Sequence, residues 1–370
     1  MRALVTGGAG FIGSHLVDGL LEAGHQVRVL DRLVSQVHGA ASRPDHLDPE
    51  AELVVASIGD RDAVRRALDG VDCVFHQAAA VGVGQSMYEL AAYVEVNVLG
   101  TAILLEEVLA RRDAIRKLIV ASSMSNYGEG RYRSPDGSLQ SPPPRSREQL
   151  EAREWELRLP SGELLEPLPT DEDKPLCPTS VYATTKRDQE ELVLNVCGAY
   201  DIPAVALRYF NVYGTRQALS NPYTGVAAIF SSRILSGQRP LVFEDGRQSR
   251  DFTHVSDVAR ANLLALEGSG ADGSVVNVAT GHPTSLLELC DLLIGHYGQD
   301  VEPEVVGRFR EGDIRHCYAD ISRARERLAY EPAVPLSEGV ADLARWASEQ
   351  EVDDRVATAV DELQRLTLLR

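Results

Sequence analysis

The sequence predicts an α/β protein: a doubly wound parallel sheet with helices on both faces, followed by a smaller C-terminal α/β portion. Three observations carry this. From residue 3 to residue 209, short apolar runs alternate with stretches of helical periodicity, the pattern that builds parallel sheets. The first of these alternations is joined by Thr6-Gly7-Gly8-Ala9-Gly10-Phe11-Ile12-Gly13, a run suited to a tight strand-to-helix turn. The chain has 370 residues, 44% hydrophobic and 25% charged, a globular composition with length for two or so domains.

Taken in order, Ala3-Leu4-Val5 is the first strand. Ser14 to Glu22 places Leu16, Val17, Leu20 and Leu21 at helical spacing, and Gly24 closes that helix. Val27 to Leu30 is the next strand and ends in Asp31. Strand, glycine turn, helix, strand and acid form one complete Rossmann-type unit for a dinucleotide. Its glycines let the backbone approach a pyrophosphate seated on the helix N-terminus. Gly7, Gly10, Phe11, Ile12 and Gly13 are therefore candidate cofactor-binding residues. Asp31 is placed to bind ribose hydroxyls and to repel a 2′-phosphate, which favours NAD over NADP.

The alternation continues with a strand at Leu53–Val55, a helix at Asp62–Leu68 and a strand at Cys73–His76. That strand runs into small residues, among them Ala78 and Ala79, which would let a cofactor lie close to the backbone. His76, inside an apolar strand, reads as structural. Tyr93 to Leu109 reads as one long helix containing Asn97, and Lys117 to Ala121 as a strand ending at Ser122-Ser123. The site is expected at the strand C-termini. Residues 129–170 break the rhythm: they are rich in Pro, Arg, Glu and Ser, and hold two similar pieces, Arg133 to Gly137 and Arg158 to Gly162. These read as paired tight turns of a small inserted flap.

Val181-Tyr182-Ala183-Thr184-Thr185-Lys186 opens the next helix. Tyr182 and Lys186 lie one turn apart on a shared face. An ammonium beneath a phenol stabilises the phenolate, so the Tyr182 pKa should fall from about 10 toward neutrality. Such a tyrosine can serve as general base on a hydroxyl. After the strand Ala204–Arg208 the rhythm loosens. Helices are expected over 225–235, 255–266 and 285–295, and extended segments over 240–243, 250–255 and 275–278, covering a ligand. The expected division is a cofactor-binding domain at 1–210 carrying the 129–170 flap, a mainly substrate-binding portion at 211–350, and a C-terminal helix at 351–370. The last reads as packing or oligomer surface.

Lys+Arg 37 against Asp+Glu 55 leaves a net charge of −18. With no basic patch, nucleic acid and anionic membranes are excluded as partners. Cys73, Cys177, Cys197, Cys290 and Cys317 are scattered without a C-x-x-C pair. That argues against a disulfide framework or a complete zinc site and fits a cytoplasmic protein with no metal. Neither a signal-peptide core nor an apolar run long enough to span a bilayer is present.

These residues resemble the extended short-chain dehydrogenase/reductase family, in its nucleotide-sugar epimerase and dehydratase branch. The resemblance rests on Thr6-Gly7-x-x-Gly10-x-x-Gly13, Asn97, Ser123, Tyr182-x-x-x-Lys186, Arg208 to Gly214, Arg250-Asp251-Phe252 and Arg310-Glu311-Gly312-Asp313. It implies an NAD cofactor held by the glycine loop, Asp31, Ala78, Ala79, Asn97, Tyr182 and Lys186, with Lys186 on the nicotinamide ribose. It implies that Ser123, Tyr182 and Lys186 are catalytic, with Ser123 on the reacting sugar oxygen. Asn211, Arg250, Arg310 and Asp313 are carried over to the diphosphate and nucleoside of a nucleotide-diphosphate sugar, and a homodimer is expected. Where family members have an Asp at the adenine edge, this chain has Ser57-Ile58.

Dehydratases and decarboxylases of the branch carry an acid beside the serine or threonine; here Met124 and Ser125 stand there. What remains suffices for 4-epimerisation. The flap and the run Arg216 to Val226 resemble the dTDP-L-rhamnose 4-epimerase group, whose flap carries cysteine pairs for zinc. This flap has no cysteine, so it is expected to fold by packing or to stay partly disordered. UDP-hexose or UDP-hexuronate 4-epimerases would share every reacting residue. A 4-ketoreductase exchanging NADPH is disfavoured by Asp31, and a non-enzymatic NAD-binding scaffold by the intact Ser123, Tyr182 and Lys186.

Overall fold

The computed structural model describes all residues, 1–370. Seven strands form a wholly parallel sheet: β1 (Arg2–Thr6), β2 (Gln26–Asp31), β3 (Glu52–Val55), β4 (Cys73–His76), β5 (Lys117–Ser123), β6 (Ala204–Tyr209) and β7 (Ser274–Val278). Their order is β7-β6-β5-β4-β1-β2-β3. The order reverses between β1 and β4, and there the strand ends part to leave a crevice. Strands β1, β4, β5 and β6 are buried throughout apart from Arg2 at one end, as continuous Val/Ile/Leu/Ala runs in a two-sided sheet should be.

Each face is covered by helices whose apolar stripe the sequence dictates. On one side Leu16, Val17 and Leu20 of helix α1 (Phe11–Glu22) pack with Val258, Ala261 and Ala265 of the Val255–Glu267 helix. On the other, Ile103, Leu104 and Val108 of Gly100–Leu109 meet Val193 and Cys197 of helix α2 (Val181–Ala199). The segment read as one helix from Tyr93 to Leu109 is helical but changes pitch: a π-turn over Val94–Leu99 precedes the α-helix and holds Asn97.

The seventh strand and the Val255–Glu267 helix come from the C-terminal half. A division of the chain at residue 210 therefore does not follow the packing, because the sheet is completed from beyond it. A separate small core gathers Phe230 and Ile234, Leu289 and Leu293, and Val340 and Leu343.

The 129–170 insert is ordered. Arg131–Arg133 pairs antiparallel with Leu139–Gln140 and with Glu166–Leu168, and Tyr132, Leu157 and Leu165 close a miniature core beneath them. Both expected turns form, with Gly137 N–H donating to Ser134 and Gly162 N–H to Leu159. Charge fastens the insert to the body. Arg315, fully buried, donates to Glu156, Glu244 (3.0 Å) and Asp245 (2.6 Å). Arg145 donates to Glu244 at 2.8 Å and to the Asp313 carbonyl at 3.1 Å. Removing one member of such a network strands the others in low dielectric. Arg315→Ala should therefore cost about 3–5 kcal/mol, measured as a lowered midpoint in denaturant unfolding; an unchanged midpoint would show that the network contributes nothing.

Candidate active site

The crevice at the switch point is a cavity of about 380 Å³. Its floor is the turn from β1 into α1. Gly7 has φ +69°, and a Cβ there would sit 2.8 Å from the Ala78 backbone; a Cβ on Gly13 would meet the Gly7 carbonyl at 2.2 Å. Only glycines let these segments come so close. No side chain caps α1 and its first turn holds no acid, so its free N–H groups and dipole can receive an anion. Gly7, Gly10, Phe11, Ile12, Gly13, Asp31, Ile58, Ala78 and Ala79 all line the cavity, with Ser123, Tyr182, Lys186 and Asn211.

Asp31 ends β2 and is tied to both neighbouring loops, accepting from Ala9 N–H (3.1 Å) and Leu33 N–H (2.9 Å). His38, unnoticed in the sequence, lines the same wall with Nε2 3.7 Å from the Asp31 carboxylate. Ser57 lies off the cavity lining, its hydroxyl accepting from Gly59 N–H. Asn97 is fully buried and also off the lining. Its amide is spent on both backbone groups of Ala80 (2.7 and 3.0 Å) and on the Thr185 hydroxyl (2.9 Å). In this structure it braces the Ala78–Ala80 loop against α2.

At the other end of the cavity, β5 delivers Ser123 and α2 delivers Tyr182 and Lys186. Ser180 caps α2 from its side chain, accepting from Ala183 N–H at 3.1 Å, which fixes where the helix begins and so where Tyr182 points. Ser123 Oγ accepts from Ser125 N–H (3.2 Å) and from the Ser125 hydroxyl (2.8 Å). With both lone pairs engaged, its own proton is free to be donated into the cavity. The Tyr93 ring packs edge-on to Tyr182 at 6.5 Å.

The expected lowering of the Tyr182 pKa is not met. Desolvation pushes the phenol up, and the neighbouring Ser123 side chain recovers only part of it. Burial of the ring is the larger effect, while two of the three Lys186 Nζ protons go to the Ala121 carbonyl and to Gln189 Oε1, each at 2.6 Å. Burial also brings the Lys186 ammonium down to about 7, with Glu190 opposing the shift.

Asn211 lines the cavity with its Oδ1 buried and unpartnered, an acceptor open to a ligand hydroxyl or N–H. Arg250, Arg310 and Asp313 lie off the lining and form a second cluster. Arg250 donates to the carbonyls of Ile314 (2.6 Å) and Arg315 (2.9 Å), while Arg310 pairs with Asp313 at 2.8 Å and lies over the Phe243 ring. The sequence reading missed Gln189, Glu190 and Tyr93. A signal for Glu190 existed: Arg208 is a charge within an apolar strand, and such a charge needs a buried partner.

Fold and cavity together define a dinucleotide-binding crevice lined at one end by Ser123, Tyr182 and Lys186. Comparison with known proteins agrees: residues 3–149 and 161–279 match the NAD dependent epimerase/dehydratase family, and the chain belongs to it. It is 37% identical to a dTDP-L-rhamnose 4-epimerase of Burkholderia thailandensis, over 94% of this chain and 95% of that one. Among solved structures it resembles the UDP-glucose 4-epimerase of Thermotoga maritima with UDP-glucose (33% identity, TM-score 0.77, 94% and 98% of the two chains). It also resembles the UDP-glucuronic acid 4-epimerase of Bacillus cereus with UDP-glucuronic acid and NAD (28%, TM-score 0.77, 94% and 99%).

NAD is thus the cofactor, and the cradle fits it: two close-approach glycines, an uncapped helix terminus and a carboxylate at the end of β2. NAD should bind at least about tenfold more tightly than NADP, because Asp31 would face the 2′-phosphate. Asp31→Ala should narrow that gap in equilibrium titrations; equal affinities for the unaltered protein would reject the assignment.

Proposed function

We propose that the protein is a nucleotide-sugar 4-epimerase working by transient oxidation and reduction at C4, with a dTDP-6-deoxyhexose such as dTDP-L-rhamnose as substrate. The observation that carries this reading is the composition of the reacting set. Ser123, Tyr182 and Lys186 line one cavity, while the residues after Ser123 are Met124 and Ser125, neither of them an acid. Elimination or decarboxylation needs a second proton-transferring group; taking one proton from one oxygen and returning it needs one.

When bound, NAD supplies a reversible hydride acceptor and, while oxidised, a positive charge in the cavity. Tyr182 Oη takes the C4 hydroxyl proton, and the Ser123 hydroxyl, keeping its own proton, hydrogen-bonds the same oxygen as it becomes a carbonyl. Once the keto sugar has turned its other face, Tyr182 returns the proton. Lys186 presents a charged N–H to the cavity, which favours the phenolate against the cost of burial. Asn211 offers its unpaired acceptor to the nucleotide sugar. Arg250, Arg310 and Asp313 are assigned to the diphosphate and nucleoside on the family resemblance, and lie together on one loop cluster.

The Burkholderia relative supports the dTDP-6-deoxyhexose; the Thermotoga and Bacillus structures support a UDP-hexose or UDP-hexuronate as the second reading. Leu90, Val94 and Leu99 are about half exposed along one helical stretch, which supports a homodimer, checked by light scattering. No helix is long and apolar enough to cross a membrane, and all five cysteines are free thiols, in keeping with a cytoplasmic site of action.

Incubation with a panel of dTDP-, UDP- and GDP-sugars, followed by NMR, should show inversion at C4 with no net change in NAD. Tyr182→Phe should lower turnover by about 10²–10⁴-fold while NAD and nucleotide-sugar binding persist. Near-normal epimerisation by that variant would reject the assignment of the base.

A further inference from the structure

A buried hydrogen-bond chain runs from β1 to Lys186. Thr101 Oγ1 lies 2.6 Å from the Asn97 carbonyl and gives its single proton there. Gln189 Nε2 donates to it at 2.9 Å, and His76 Nε2 lies 2.8 Å away. On its other side His76 Nδ1 shares a hydrogen bond with the Thr6 hydroxyl at 2.8 Å. Burial keeps this ring neutral, its pKa pushed down to about 3. The Gln189 NH₂ is spent on Thr101 (2.9 Å) and His76 Nε2 (3.1 Å) and, more weakly, on the Ala78 carbonyl at 3.4 Å. Its Oε1 can point only at Lys186 Nζ, 2.6 Å away. A flipped amide would aim N–H at an ammonium and leave Thr101 without its donor.

Lys186 as an ammonium has three protons. One goes to Gln189 and one to the Ala121 carbonyl; the third faces the cavity that Lys186 lines. As a neutral amine it would spend both protons on those acceptors and show the cavity a lone pair. The Gln189 carbonyl thus favours the charged form and sets the direction of its free N–H.

We propose that Gln189 is a positioning residue for this enzyme: through Lys186 it aims one charged N–H at the reacting phenol and cofactor and sustains that charge in a dry cavity. The inference rests on the reading of Tyr182 and Lys186 as the reacting pair. Other groups facing the ammonium do not duplicate the role. On its own helix, Tyr182 is a phenol and Glu190 is bound to Arg208, Ser122 and Asn126. From β4 comes neutral His76; β5 offers the Ala121 carbonyl and the hydroxyls of Ser122 and Ser123; from the Gly100–Leu109 helix comes the Thr101 hydroxyl. Gln189 is the one side-chain acceptor in contact with Nζ.

Gln189→Leu and Gln189→Glu separate this from a packing role. Losing an acceptor of the charged form lowers the Lys186 pKa, so the alkaline limb of the kcat profile should move down by about one pH unit in the leucine variant. A carboxylate in the same place should move it up by about as much, and this near-isosteric variant keeps the test open if the leucine one folds poorly. The pH dependence of the NAD dissociation constant, titrated without sugar, should move in the same directions. A leucine variant with a lowered Tm but unmoved kcat and NAD profiles, or a glutamate variant that shifts neither, would overturn the proposal. A fully active Tyr182→Phe would instead remove the reading on which it stands.

Discussion

The arrangement of the reacting groups depends on one buried ion pair. Arg208 on β6 donates to Glu190 on α2 at 2.5 and 2.9 Å, with both side chains about 4% exposed. Glu190 also accepts from the Ser122 hydroxyl (2.6 Å) and the Asn126 amide, and the Arg208 guanidinium lies over the Tyr127 ring at 4.7 Å. One carboxylate thereby fastens three pieces: the helix carrying Tyr182 and Lys186, the strand end carrying Ser123, and the neighbouring strand. Such a pair earns little net stability against its desolvation cost. What it gives is a fixed angle between α2 and β5, and a site of this kind needs its groups held to within a fraction of an ångström.

Much of this was legible in the chain. Strand β4 falls at the residues its apolar run marks, and β1, β2, β3, β5 and β6 within a residue or two, because strands buried on both faces, as all of these but the part-exposed edge strand β3 are, leave an uninterrupted apolar signature. The cofactor cradle was legible for a similar reason: Gly7 and Gly13 stand where any side chain would collide. Less visible was anything set by distant pairing. Strand β7 looked like part of a C-terminal unit because its partner, β6, lies far back in sequence. Asn97 reads as a cofactor ligand by motif, yet a π-turn directs it to Ala80, and no local pattern announces such a turn. The Tyr182 pKa was misjudged because a sequence shows that a lysine lies one turn away but not how deeply the phenol is buried.

The insert illustrates how charge can serve where a small core is insufficient. Three buried apolar side chains would not hold forty residues against their conformational entropy. Arg145 and Arg315 add directional bonds to three acids contributed by the insert and the C-terminal portion. Because Arg145 also holds the Asp313 carbonyl, the insert is continuous with the loop bearing Arg310 and Asp313. Its place beside the Ser123 strand thus has a mechanical counterpart at the Arg310–Asp313 pair.

The late arrival of β7 bears on how the chain is made. About 65 residues separate Tyr209 from Ser274, and at about 5–20 residues per second several seconds of synthesis pass between them. During that interval β6 is an open edge, and the apolar side of α1 lacks the Val255–Glu267 helix that covers it. An unpaired, largely apolar strand edge is a template for association with other chains. The nascent protein thus spends its most adhesive period on the ribosome, where chaperones that shield apolar surface would have the greatest effect on yield.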